Sequence, residues 1–325
     1  MKTMTTIRFS VFGMALCLVA PAALAGKIYV SSEKDNVVTV FDSETLAQQK
    51  KIKTDGKPRD LVFSADKKKL YVACGDGNAI NIIDTTQDKV AGKLNVGEDP
   101  ERFQFTPDGK TIWATNEETA QVTAVDVASG KKLAEISVGE EPEGLLITPD
   151  GKTVYATSEV ANTVHVIDAI KRELKTTISV GNRPRRFALT PDGSELWVSN
   201  ELSGSVSLID TRSNTVTGDI KFQPKGFRVE DVTPVGIIMS KDGSTAYVTL
   251  GRANHIARVD VKTHTVKDYL LTGGRPWGIA LSADNKTLYV TNGTSDDMAV
   301  VDTESFKIRT SVPAGRSPYT AAVLE

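Results

Sequence analysis

The sequence is poor in the side chains from which most catalytic and metal sites are built. Its 325 residues include two cysteines and three histidines. Only Cys74 lies beyond the first 25 residues, so an internal disulfide in the remainder is excluded. No C-x-x-C-H occurs, which excludes covalent haem attachment by the usual motif. His165, His255 and His264 fall at different positions of the pattern described below, so no metal site and no nucleophile–histidine triad is expected from them. Charge is nearly balanced, at −2 for the whole chain, and gives no reason to expect nucleic acid or an anionic membrane as partner.

Long apolar runs are also absent, with one exception at the start. Residues 1–25 carry Lys2 and Arg8, then FSVFGMALCLVA, then PAALA before Gly26. A basic start, an apolar stretch of about a dozen residues and an A-x-A ending predict a cleaved secretory signal peptide. The stretch is short for a membrane span, which takes about 20 residues. Leu16 before Cys17 argues against a lipoprotein anchor. The expected product is residues 26–325, a single domain exported to the periplasm, with no membrane span after signal removal.

What is present in abundance is repetition. Aspartates that close an apolar run stand at Asp42, Asp84, Asp126, Asp168, Asp210, Asp260 and Asp302, at intervals of 42, 42, 42, 42, 50 and 42. Prolines at Pro58, Pro100, Pro142, Pro184, Pro234, Pro276 and Pro318 repeat with the same period, and their one long interval is also 50. Both landmarks give seven units and place one overrun of eight residues between Asp210 and Pro234. Each unit reads as four short strands: an apolar run after the proline, a turn such as TPDGK, a β-branched and aromatic run such as TLYVT, a third run ending at the aspartate, and a fourth leading to the next proline. This predicts an all-β, seven-bladed β-propeller of four-stranded blades. The chain starts inside a unit with KIYVSS and stops after a first strand, SPYTAAVLE, so pairing of the C-terminal strand with the N-terminal blade is expected to close the ring and leave no open sheet edge.

The runs IYVSS, LYVAC, VYATS, AYVTL and LYVTN, each followed by a segment ending in VID or a variant, resemble the YVTN family of propeller repeats over residues 26–325. The arrangement is most similar to the propeller proteins associated with pyrroloquinoline quinone (PQQ)-dependent catabolism. That resemblance implies an accessory role in periplasmic quinoprotein alcohol oxidation, a protein partner from such a system, and PQQ as a candidate ligand. No resident cofactor is expected. The chain lacks adjacent cysteines and has seven units rather than eight, so it does not resemble the PQQ-containing dehydrogenase itself.

Alternation of strands puts every VGxxP segment, the loops between second and third strands, and the overrun on one face, around the mouth of the central channel. That face carries Arg59, Arg102, Arg183, Arg185, Arg186, Arg275 and Arg316, the aromatics Trp277 and Tyr319, and from the overrun Phe227 and Arg228. His255 lies on the same face, and Glu33, Glu117, Glu159 and Glu201 share one column of its loops. Two readings stand side by side. The arginines bind a small acidic ligand or a partner surface, with the aromatics as flat anchors, or they pair with the glutamates between blades and tie the ring together. The binding reading makes the protein a binding module. The alternative is a propeller lyase or lactonase with His255 or a loop glutamate as general base. The ring is expected to close equally well without the overrun. The seven aspartates read as turn formers, Cys74 as a partly buried thiol, and Trp113 and Trp197 as core.

Overall fold

The computed structural model describes Met1 and residues 26–325; the expected signal peptide lies outside the described residues. Seven antiparallel four-stranded sheets form the ring. The first blade is composite: Pro318–Leu324 is its innermost strand and pairs antiparallel with Lys27–Ser32, which continues to Val37–Asp42 and Gln48–Lys53. Blades 2 to 7 begin with the inner strands Pro58–Phe63, Pro100–Phe105, Leu145–Ile147, Pro184–Leu189, Pro234–Met239 and Pro276–Leu281. No helix among the described residues is long and apolar enough to cross a membrane.

Local chemistry explains why each unit turns where it does. After each third strand the aspartate carboxylate accepts backbone N–H groups two or three residues on, as Asp84 does from Thr86 (2.8 Å) and Asp210 from Ser213 (2.7 Å). The turn between first and second strands needs a left-handed residue, supplied by Gly109, Gly151, Gly193 and Gly243 at φ of 68–72°. The second strands are the most buried. They carry Trp113 and Trp197 into the spaces between blades, against Leu145 and Ile147 for the first and Ile237 for the second. Cys74 is buried completely, which pushes its thiol up to about 12 and removes it as a nucleophile.

One repeated bond locks neighbouring blades. The Ser or Thr of the YVTN-like strand donates from its hydroxyl to the inner-strand carbonyl of the following blade: Ser31 to Arg59 (2.7 Å), Thr115 to Glu143 (3.2 Å), Ser199 to Val235 (2.6 Å), Thr249 to Trp277 (3.1 Å) and Thr291 to Tyr319 (2.8 Å). Every acceptor is the residue that follows a landmark proline. The motif thus fixes the residues that surround the channel mouth. Blades also approach so closely there that a Cβ at Gly278 would collide with the Tyr319 carbonyl.

The overrun corrects one expectation. Its ends are part of the core, since Phe222 is 1% exposed and Val232 is buried in the same cluster as Trp197 and Ile237. Only the segment between them is an addition to the surface. That segment folds over blade 6, where Phe227 meets the His255 ring edge-on at 5.4 Å and the Tyr269 hydroxyl accepts the Gln223 N–H at 2.8 Å.

Candidate functional site

In blades 2, 3, 5 and 6 the two residues after the landmark proline sit on a β-bulge. In blade 2, Pro58 pairs with Cys74 but Leu61 pairs with Val72, so Arg59 and Asp60 are displaced from the ladder. The same shift follows Pro100, Pro184 and Pro234, and a shorter one that displaces Trp277 alone follows Pro276. A bulge re-aims side chains, and here it presents paired positions such as Arg59 and Asp60, Glu101 and Arg102, and Arg185 and Arg186 to the mouth. The residue before the proline is held by a second device. Lys57, Arg183 and Arg275 adopt left-handed backbone (φ 59°, 56° and 54°), and their N–H groups donate to Asn36, Asn162 and Asn254 of the adjacent loop at 2.8–3.0 Å.

These devices build one ionic lattice across the mouth. Glu143 is its centre: Arg186 Nη1 lies 2.5 Å and Arg185 Nη2 3.0 Å from the Glu143 Oε1, which also accepts the Tyr319 hydroxyl at 3.0 Å. Arg186 donates in turn to the Tyr319 oxygen at 2.7 Å. Two guanidinium groups lie over the Tyr319 ring, with Arg59 at 5.1 Å and Arg186 at 5.7 Å from its centroid. Arg59 is bonded to Glu101, and Arg185 to Glu159. Arg183 lies 2.6 Å from Glu159 and 3.2 Å from Glu201, and Arg275 lies 3.7 Å from Glu201 and stacks on Trp277 at 5.2 Å. Deeper in the channel, Arg102 pairs with Asp60 at 2.5 Å.

The arginines are therefore ion-paired between blades, and Tyr319 is a buried plug rather than an exposed anchor. Outer members of the lattice remain accessible: 42% of the Arg183 side chain and 36% of Arg275. Four of the expected residues, Phe227, Arg228, His255 and Arg316, stand apart from it. Arg228 bonds Asp231 within the overrun, Arg316 bonds Asp35 of the closing blade at 2.6 Å, and His255 is held by the Ala253 carbonyl and by Phe227. His165 accepts the N–H of Gly139, in the loop that leads into its blade, at 3.0 Å, and His264 lies 2.9 Å from Glu195 on the opposite face.

Electrostatics separate the carboxylates. Burial raises the Glu143 carboxyl, but Arg185 and Arg186 outweigh it and hold the group well below the usual range. Glu159 goes the other way: burial, reinforced by the nearby Glu143 and Glu201 charges and opposed by Arg185, pushes it up to about 7. Asp99, Glu101 and Glu117 converge within 4.8 Å of one another, yet the cation they share is Lys57 Nζ, 2.7, 3.6 and 3.9 Å from the three. Glu101, Glu143 and Asp60 were visible as columns beside the prolines, and Lys57 and Asp99 one position earlier. Their signal was the same period, which does not say which charges meet.

The family model "Lactonase, 7-bladed beta-propeller" matches residues 92–235, the segment that supplies Glu101, Glu143, Glu159, Arg183, Arg185, Arg186 and Glu201 to the lattice. No curated protein matches the sequence. Among solved structures, a functionally unknown protein from Desulfotomaculum acetoxidans superposes with a TM-score of 0.78 at 19% identity, covering 92% of this chain and 99% of that one. The periplasmic gluconolactonase of Pseudomonas aeruginosa gives 0.77 at 18%, covering 92% and 99%. A putative 6-phosphogluconolactonase from Bacteroides uniformis gives 0.77 at 16%, covering 92% and 99%. These likenesses establish the seven-bladed fold.

Proposed function

We propose that this chain is an exported hydrolase of sugar-type lactones, acting at the charged mouth of its channel. The observation that carries this reading is the place of Glu159, a carboxylate near 7 between Arg183 and Arg185 within the segment that matches the lactonase model. Above its pKa Glu159 removes a proton from water as the water oxygen attacks the lactone carbonyl. Arg183, the more accessible of its two partners, stabilises the oxyanion. The ring C–O bond then breaks, the alkoxide takes up the proton, and an open hydroxy acid leaves. Trp277, half-buried beside Arg275, offers a flat face for a sugar ring. Lactonases among the structural neighbours, one of them periplasmic, support both the reaction class and the compartment.

Glucono-1,5-lactone turnover by purified protein, corrected for spontaneous opening, tests this. Glu159→Gln should lower the rate by about 10²–10⁴-fold. A wild-type rate no faster than the spontaneous one over a panel of lactones would end the proposal.

A second reading is an accessory protein of periplasmic quinoprotein oxidation that holds PQQ or a partner at the same mouth. It is favoured by the YVTN-like repeats and by buried Nε–H groups of Arg59, Arg185 and Arg275 that have no hydrogen-bond acceptor. Saturable PQQ binding that is lost in Arg185→Gln, without lactone turnover, is the result that would select it.

A further inference from the structure

Behind the ionic lattice the channel widens into a cavity of about 780 Å³. Its lining reaches Asp66, Pro107 and Gly109 in the turns between first and second strands, so it opens on the face opposite the mouth. Its other end is lined by Asp60, Arg102 and Thr320, next in sequence to the lattice residues Arg59, Glu101 and Tyr319. The walls are inner-strand side chains, with the apolar Val62, Phe63, Phe105, Ile238, Ile279 and Leu281 set among polar groups such as Ser64 and Thr106. Gln104 is the amide on this wall, and its oxygen is already taken by the Ile147 N–H at 2.8 Å.

The end toward the mouth has a different character, because the carboxylate of Asp60 stands there beside the donors of Arg102 and Thr320. Arg102 gives one terminal nitrogen to Asp60, and among the described residues its other terminal nitrogen makes no hydrogen bond. Its Nε–H is buried with no acceptor, and 26% of the side chain remains exposed. The Thr320 hydroxyl is also buried without a partner. A chamber with these apolar stretches that ends in N–H and O–H donors without acceptors is poorly matched by a plain hydrocarbon, which would leave those donors unmet. We infer that this cavity is a second ligand site, which takes an organic anion with an apolar body, its carboxylate or sulfonate against Arg102 and its body between the inner strands. The volume falls within the ordinary range for small-molecule pockets. The site is separate from the lactone reading, which uses the other side of the lattice.

The probe is 8-anilinonaphthalene-1-sulfonate, an apolar aromatic body with one anionic group, titrated into the folded protein and followed by fluorescence. One saturable site per chain is expected. Ile279→Trp, which fills the chamber without touching any charge, should weaken binding at least tenfold. Arg102→Met should do the same for the sulfonate dye but change the affinity of uncharged 1-anilinonaphthalene less than threefold. Because Arg102→Met strands Asp60, the double variant Asp60→Asn/Arg102→Met is measured beside it, and the same split between the two dyes is expected. Octanoate should displace the dye and octanol should not. Non-saturable binding, or an affinity unchanged by both Ile279→Trp and the double variant, overturns the inference.

Discussion

Tyr319 and Glu143 lie 176 positions apart in the chain and 3.0 Å apart across the channel, the phenol donating to the carboxylate. Tyr319 belongs to the strand that closes the ring, and Glu143 stands on the unpaired approach to the inner strand of blade 4. Their contact, shared with Arg186, ties the inner edges of blades 1, 4 and 5 into one bonded lattice. Because desolvation offsets much of the Coulomb attraction in such a lattice, its main consequence is geometric: it sets a charged mouth apart from the chamber of the inner strands.

Tyr319→Phe isolates that contact. The ring and its stacking on Arg59 and Arg186 are kept, while Arg186 loses an acceptor and Glu143 a donor. The variant should be less stable by about 1–3 kcal/mol, the cost of leaving buried polar partners unmet. Urea titration reads this as a lower midpoint with an unchanged slope.

Glu159 should make stability fall as pH rises. Its folded pKa is raised from 4.5 to about 7, so between those values the folded chain holds a proton that the unfolded chain has released. The favourable contribution is complete below pH 4.5 and is lost by pH 7. Glu159→Gln abolishes this dependence, and the wild-type minus variant stability should drop by on the order of 3 kcal/mol across the window. A difference that is flat with pH contradicts the assignment. In lactone hydrolysis the same titration should appear as a rate that climbs through neutrality.

The two phenylalanines of the overrun should behave differently. Phe222 is sealed in the core between blades 5 and 6, and Phe222→Ala should cost about 3–5 kcal/mol. Phe227 covers His255 at the surface, and Phe227→Ala should cost less than half as much. Thermal or urea denaturation of the two variants compares them directly.

The period of 42 residues, kept by aspartates and prolines alike, determined the number of blades, the four strands in each and the meeting of the two chain ends. Those features follow from local chemistry that repeats: an Asx turn after every third strand, a left-handed residue in every first hairpin, an alternating apolar face. The same columns brought the arginines and loop glutamates to one face, because alternation of strand direction is a topological consequence of the repeat. The overrun's division into buried ends and exposed middle was not legible, since Phe222 and Phe227 are the same residue type and only their neighbours differ.

What the tertiary structure alone decided is which charge meets which. Seven similar columns folded into a ring place Arg59 beside Glu101, and Tyr319 opposite Glu143. Those partners come from different units, at distances set by ring diameter, bulge and side-chain length rather than by any spacing along the chain. The pKa of Glu159, the plug at the mouth and the chamber behind it depend on that convergence. A repeat specifies each of its units, but the space at the centre belongs to all seven at once.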